Sequence, residues 1–291
     1  MTVSLGLLFA FGALFAWGFG DFFIQRTARA VGSVKALFFI GIIGMVGLFP
    51  LVSHDLPKIA PIGWLLLFLL GFVVIFAALF DFEALKDGKI SIIEPLIGLE
   101  LPITVGLSIG LGHEILSGRQ LVLIGIIFIG LIMAVTIHHT HLHYHKRIFE
   151  KGVIFAGLGA VGLALTNYLT GVASQQISPL VAIWFTHTWV FFLCGFYLLW
   201  SGKFKELWGD FRRHPQIILG EGIFDNLAWI SFGYATTYLP IAIVTTISES
   251  YIALAVVLGL FVNREKLKPH QIVGVILAVV GVIVLSSLTS S

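Results

Sequence analysis

The chain runs to 291 residues, of which 58% are hydrophobic and only 11% charged, with a formal net charge of +2. A soluble domain of this length carries charge at about a quarter of its positions, so the bilayer is the main solvent here, and a water-soluble enzyme or a nucleic-acid partner is excluded. The single cysteine, Cys194, rules out an internal disulfide and any paired-cysteine metal site.

Apolar stretches of about 20 residues, the length of a membrane-spanning helix, fall at 3–25, 34–53, 61–85, 90–111, 119–138, 152–174, 179–200, 215–238, 240–262 and 269–288. Short charged or Gly/Pro-rich joints separate them. The first stretch has no basic leader and no small-residue cleavage site, so it reads as a mature helix rather than a signal peptide. The period-two alternation of barrel strands is absent, and unpaired backbone cannot face lipid. The expectation is therefore an all-α membrane protein with ten transmembrane helices.

The chain also repeats itself. An offset of 151 positions places "GHEILSGRQLVLIGIIFIGLIM" (112–133) on "NREKLKPHQIVGVILAVVGVIV" (263–284), matching Glu114 with Glu265, Gln120 with Gln271 and Gly130 with Gly281. Upstream, Ala84, Ile90 and Val105 meet Ala235, Ile241 and Val256. The halves 1–138 and 152–291 are thus copies of one five-helix unit, joined by a His-rich basic linker at 139–151. Five crossings are an odd number, so the second copy should lie upside down relative to the first. Two inverted five-helix repeats are an arrangement of secondary transporters, with the binding site near the bilayer midplane.

The Trp17-Gly18 pair in the first span, Ala84-Leu85 ending the third, and the G-x-E-x-L joint (112–116) leading into a Gly-rich last helix resemble the EamA family of the drug/metabolite transporter superfamily. In the second copy Asn263 replaces the joint's glycine, and no Trp-Gly opens the sixth span. The resemblance implies a ten-helix solute carrier that uses no ATP, often an exporter of amino acids or other small metabolites.

The stretch "GFGD" (18–21) also matches the GxGD box of intramembrane aspartyl proteases, with Asp81 or Asp225 as nominal second aspartate. In such proteases the partner precedes the GxGD helix, and no span precedes this one. The glycines read more simply as close-packing positions between helices in lipid. Asp21 either pairs with Arg26 or Arg29 at the membrane face or lines a central cavity with Trp17 and Gln25, which share its face at i, i+4, i+8 spacing.

Ionisable and polar residues near helix midpoints carry the functional reading: Glu100 in the fourth span, His187 in the seventh, Asp225 and Asn226 in the eighth, and Glu249 in the ninth, with no Lys or Arg at any midpoint. Glu221, Asp225 and Trp229 share one face. An isolated intramembrane carboxylate takes up a proton or finds a cation, so such a cavity suits protons and amines. Trp184, His187, Trp189, Trp229 and Tyr251 offer rings to a cation, although most of the aromatic residues must serve packing. Pro95 and Pro102 flank Glu100, and Pro102 is expected to kink its helix and leave the Gly98 carbonyl unpaired.

In the run 138–147 that joins the halves, His138, His139, His141, His143 and His145 have spacings that suit a metal ion, yet a solvated linker explains them more cheaply. Glu114 and Glu265 sit in joints and read as capping or packing residues. The expected function is alternating-access transport of a small amine-bearing solute coupled to H+, with no cofactor and no enzymatic activity. The alternative is an uncoupled facilitator or exporter of neutral or aromatic metabolites.

If the spans alternate across the membrane, every Lys and Arg except Lys58 and Arg119 lies on one side. The positive-inside rule makes that side cytoplasmic and puts both termini outside, in contrast to amino-acid exporters of the resembled superfamily, whose termini lie inside. A reporter active only in the cytoplasm, fused after Ser291, should be silent; strong activity there would overturn the orientation.

Overall fold

A computed structural model describes residues 2–87, 96–136, 146–262 and 268–290. Among these the regular structure is helical throughout. In chain order the helices are α1 (Thr2–Val31), α2 (Ser33–Val52), α3 (Pro61–Asp87), α4 (Glu100–Gly110), α5 (Gly118–Val135), α6 (Lys146–Gln176), α7 (Pro179–Trp200), α8 (Leu207–Arg213), α9 (Pro215–Thr236), α10 (Ile241–Glu249), α11 (Tyr251–Val262) and α12 (Pro269–Ser290). Four long helices, α3, α7, α9 and α12, begin on proline, whose missing N–H costs nothing at a first helical position. α5 begins with a capping box between Ser117 and Gln120.

Among the described residues, seven helices are long and apolar enough to cross a membrane: α1, α2, α3, α5, α6, α7 and α12. α9 has the length, 22 residues, but carries Glu221, Asp225 and Asn226. The fourth and ninth expected spans are where the structure departs from ten plain helices. The ninth is broken into α10 and α11 at Ser250, and α4 begins only at Glu100, after turns at Gly98 and Leu99. Offset by 151, these interruptions fall on corresponding positions of the two halves. The Gly98 carbonyl is not left unpaired by Pro102, because a tighter turn lets it accept from Leu101 N at 3.3 Å. The His run lies outside the described residues, and α6 begins at Lys146, inside the stretch read as linker.

Packing repeats the internal symmetry. α1 packs chiefly on α9, α3 on α6, α2 on α7 and α5 on α12. Exchanging the halves maps this set of partners onto itself, the pattern that a two-fold axis between them produces. The α5–α12 seam is close enough to need glycine: a Cβ on Gly274 would sit 2.5 Å from the Gly130 carbonyl oxygen and 2.6 Å from Ala134 N. Gly18 and Gly20 of the GFGD stretch meet Leu254 and Phe224 in the same way, the close approach that small residues permit in lipid.

Glu114, in the joint between α4 and α5, reaches across to the other half. Its Oε1 accepts from Ile241 N at 2.5 Å and its Oε2 from Ala242 N at 3.1 Å, so a first-half carboxylate caps the second-half helix α10. The capping reading of Glu114 thus holds, across the halves rather than within one; Glu265 lies outside the described residues. Burial raises the Glu114 carboxyl above its ordinary value of 4.5, and the two N–H bonds only partly oppose that.

Two outcomes are expected. Gly274→Ala should destabilise the fold by about 1–3 kcal/mol through overpacking against backbone, whereas Gly125→Ala, with open space around the new methyl, should be neutral or gain up to about 1 kcal/mol of helix propensity. Thermal unfolding of the two variants in detergent should separate them; equal melting temperatures would contradict the seam. An acid raised on folding stabilises below its unfolded value, and that contribution is lost as pH rises through the folded value. The melting-temperature advantage of wild type over Glu114→Gln should therefore be largest at and below the ordinary value of 4.5 and shrink as the pH rises above it. An advantage that grows with pH would show the wrong sign.

Candidate functional site

Between the halves lies one large cavity of about 1070 Å³, walled by α1, α2, α3, α6, α7, α9 and the breaks at Glu100 and Glu249. Its mouth is marked by Arg29, Gly32, Ser33, Lys35, Lys203 and Glu206, all in or beside joints of the basic side. Its deep end is lined by Trp17, Asp225, Trp229, Glu249 and Tyr251. There three helices contribute a ring cluster: Trp17 meets Trp229 edge-on with centroids 5.1 Å apart and Tyr251 at 6.1 Å.

Asp225 has a partner that the midpoint pattern did not pair with it. Oδ2 lies 3.1 Å from Nε2 of His187, and Nδ1 of His187 lies 2.8 Å from the Ile183 carbonyl oxygen one turn earlier on α7. Asp225 is therefore not without a basic side chain at its depth. Both residues are nearly buried, at 6% and 8% exposure, yet both reach the cavity wall. Gly41 and Gly44 make this possible, since a Cβ on Gly41 would fall 2.8 Å from His187 O and one on Gly44 2.7 Å from His187 Cγ. Without them α2 could not press against the imidazole.

At the two helix breaks Glu100 and Glu249, one from each half, share a side-chain hydrogen bond. A bond between two carboxyl groups needs a proton on one of them. Asn167 of α6 adds a donor, its Nδ2 lying 3.3 Å from Glu249 Oε1. A small space of about 10 Å³ beside the pair has room for about one water.

The mouth is tied by a second contact between halves. Lys35 Nζ, at the start of α2, meets Glu206 Oε2 at 2.5 Å and Asp210 Oδ2 at 2.6 Å. The short helix α8, which holds Asp210, was not expected from the sequence: "LWGDFRR" reads as a charged joint.

Of the residues singled out in the sequence, Trp17, Asp21, Glu100, His187, Asp225, Trp229, Glu249 and Tyr251 line the cavity. Three do not. Glu221 is fully buried near Thr27 of α1, with no satisfactory hydrogen bond to either oxygen. Asn226 turns away toward α2, donating to the carbonyls of Gly222 at 2.7 Å and Ile40 at 3.4 Å. Trp184 donates to the Met45 carbonyl and packs on Phe49, and Trp189 stacks among Phe68, Phe72 and Phe185. The two protease-partner candidates, Asp81 and Asp225, share the cavity with Asp21, but Asp225 is engaged by an imidazole.

Missed by the sequence reading were Thr166, Asn167 and Thr170 on α6, and Thr186 on α7, all in the wall. The signal for the first three was present: in "ALTNYLTG" two threonines at i, i+4 spacing flank a buried asparagine.

No curated protein matches the chain. A crystal structure of another protein superposes on it with a TM-score of 0.76 over 99% of this chain and 98% of that one, at 15% identity, which shows a shared fold. The model of the EamA-like transporter family matches residues 4–136 and again 150–287, one match to each half, so this two-repeat, multi-pass membrane protein belongs to the EamA-like transporter family.

Proposed function

We propose that the chain is a secondary transporter of small amine-bearing solutes, amino acids or organic cations, working by alternating access of two inverted five-helix halves and coupled to H+. One observation carries this reading: the deep end of the cavity gathers Asp225, Glu100 and Glu249 beside the Trp17–Trp229–Tyr251 ring cluster, while the cations of the wall, Arg29, Lys35 and Lys203, all stand at the mouth. A solute ammonium entering that depth meets acceptors and ring faces and no fixed positive side chain. Trp17, Trp229 and Tyr251 are the proposed walls of the solute site, Asp225 and the Glu100–Glu249 pair its acids, and Asp21 a station between depth and mouth. Glu221, Asn226 and Trp184 support it from behind.

If the basic side is cytoplasmic, the cavity in this structure opens to the cytoplasm. The Lys35 contacts with Glu206 and Asp210 then lie at the cytoplasmic mouth, and the Glu114 cap on α10 lies on the opposite, closed side. An exporter would load from this state, and an importer would unload into it.

Asp225→Asn tests the reading, because the amide is nearly isosteric and cheaper to bury than a charge. In proteoliposomes, wild type should move labelled amino acids or the permanently charged phenyltrimethylammonium in response to an imposed pH gradient. The variant should keep the wild-type melting temperature and lose pH-driven flux by roughly tenfold or more. Wild-type rates with unchanged pH dependence in Asp225→Asn would move the coupling to Glu249 or remove it. Flux of neutral aromatic solutes with no response to the gradient would instead support an uncoupled facilitator.

A further inference from the structure

The hydrogen bonds of His187 fix a proton count. Nδ1 faces the Ile183 carbonyl oxygen at 2.8 Å, and a carbonyl can only accept, so Nδ1 carries hydrogen. With Nδ1 protonated, Nε2 of a neutral ring is a bare acceptor, and so is each oxygen of a carboxylate. Nε2 and Asp225 Oδ2 nevertheless face each other at 3.1 Å. Two acceptors do not make a hydrogen bond, so one proton lies between them. Either imidazolium stands beside carboxylate, or neutral imidazole accepts from a carboxylic acid. Both descriptions have the same net charge, zero.

We infer that His187 and Asp225 form a single proton-binding unit on the cavity wall, which exchanges its one shared proton for one monovalent ammonium group. This rests on the proton-coupled amine reading above and names the residues and stoichiometry of its coupling step. The proton leaves for cavity water, and an Nδ1–H imidazole beside an aspartate remains, with net charge −1. An ammonium of charge +1 then restores neutrality. Return of a proton to Nε2 or Oδ2 removes that attraction and frees the solute. One positive charge crosses in each direction per cycle, so exchange of a monocation is electroneutral.

The surroundings favour this unit. Glu221 lies one turn before Asp225 on α9, while α1 adds Asp21 and Arg29, α2 adds Lys35, α3 adds Asp81, the two breaks add Glu100 and Glu249, and the joint after α7 adds Lys203 and Glu206. Of the three cations, Lys35 is held by Glu206 and Asp210 and lies nine residues, or about 13 Å of helix rise, from the Gly44 that contacts the imidazole. Arg29 and Lys203 belong to the mouth. At the depth of Asp225 the positive charge must come from the protonated imidazole or from a solute. Gly44 of α2 lies against the base of the ring, while Gly41 lets the α2 and α7 backbones approach beside it, so the imidazole is packed where Nε2 faces the carboxyl group.

Nitrogen NMR of the histidine rings in the full chain tests the unit without any substrate, with the His187 signals assigned by their loss in His187→Gln. On raising the pH, Nδ1 of His187 should stay protonated while Nε2 loses its share of the proton in a single step. In Asp225→Asn the amide can donate to Nε2, so the ring should remain the neutral Nδ1–H form and the step should vanish. A ring carrying its hydrogen on Nε2 with Nδ1 bare, or the same titration in Asp225→Asn, would overturn the inference. In vesicles, exchange of phenyltrimethylammonium for H+ should be unaffected by a clamped membrane potential and lost in His187→Gln. If His187→Gln keeps pH-driven exchange, this inference falls and the coupled transporter stands. If wild type itself ignores the pH gradient, both fall.

Discussion

Hydrocarbon tolerates a carboxyl group only when a proton, a cation or water accompanies it. The polar interior of this protein is arranged around that constraint. Asp225 is matched to His187, Glu249 to Glu100 and Asn167, and Lys35 to Glu206 and Asp210. Glu221, the acid with the least company, is fully buried at the α1–α9 contact, where a neutral, protonated carboxyl is the form that costs least. The membrane thus converts each acid into a site whose state depends on what can reach it. Those that open on the cavity can be reached by solute and water.

Such sites need irregular backbone at depth, and backbone in a membrane may be irregular only where it lines a cavity or is covered by protein. The breaks at Gly98–Leu99 and at Ser250 satisfy this, since the cavity or buried side chains lie beside both. They fall at equivalent positions of the two copies, so one feature of the repeated unit, used twice, brings Glu100 and Glu249 together between the halves. Neither half alone holds the pair.

The sequence made the helices and the repeat legible because both rest on local signals: apolar runs of spanning length, prolines at helix starts, and Glu114, Gln120 and Gly130 recurring 151 positions later. The acids were legible because a midpoint carboxylate is conspicuous against apolar neighbours. Which acid meets which partner was not, since it depends on contacts between distant segments. The His187–Asp225 contact joins residues 38 positions apart in sequence, and it depends on Gly41 and Gly44 of a third helix. Helical spacing put Glu221 on the face of Asp225, but the close packing of α1 buried it away from the cavity. Trp184 looked like a cation-binding ring until the Met45 carbonyl claimed its N–H. The Gly98 turn escaped notice because Pro102 suggests a missing hydrogen bond, whereas a shorter turn re-pairs the carbonyl.

The short helix α10 shows how these contacts combine. All nine of its residues, Ile241–Glu249, are buried, and both its ends are held by the first half. Glu114 accepts from its first N–H groups, and Glu100 bonds to the carboxyl group of its last residue. A rocking motion of one half against the other cannot leave α10 in place without breaking one end or carrying the partner along. The two ends differ chemically: the first is a single carboxyl group accepting from backbone N–H groups, and the second is a carboxyl pair that needs a proton between its members. Removing the proton at the cavity end sets two like charges against each other at the break while leaving the cap intact. A nine-residue helix loosened at one end and pinned at the other can pivot at Ser250, whose hydroxyl and N–H bond back to Thr246 and Ile247 while its carbonyl accepts from Ala253 of α11. In the proposed cycle, solute in the cavity and protons on the acids would act on the same short lever, between the ring cluster and the Glu114 cap.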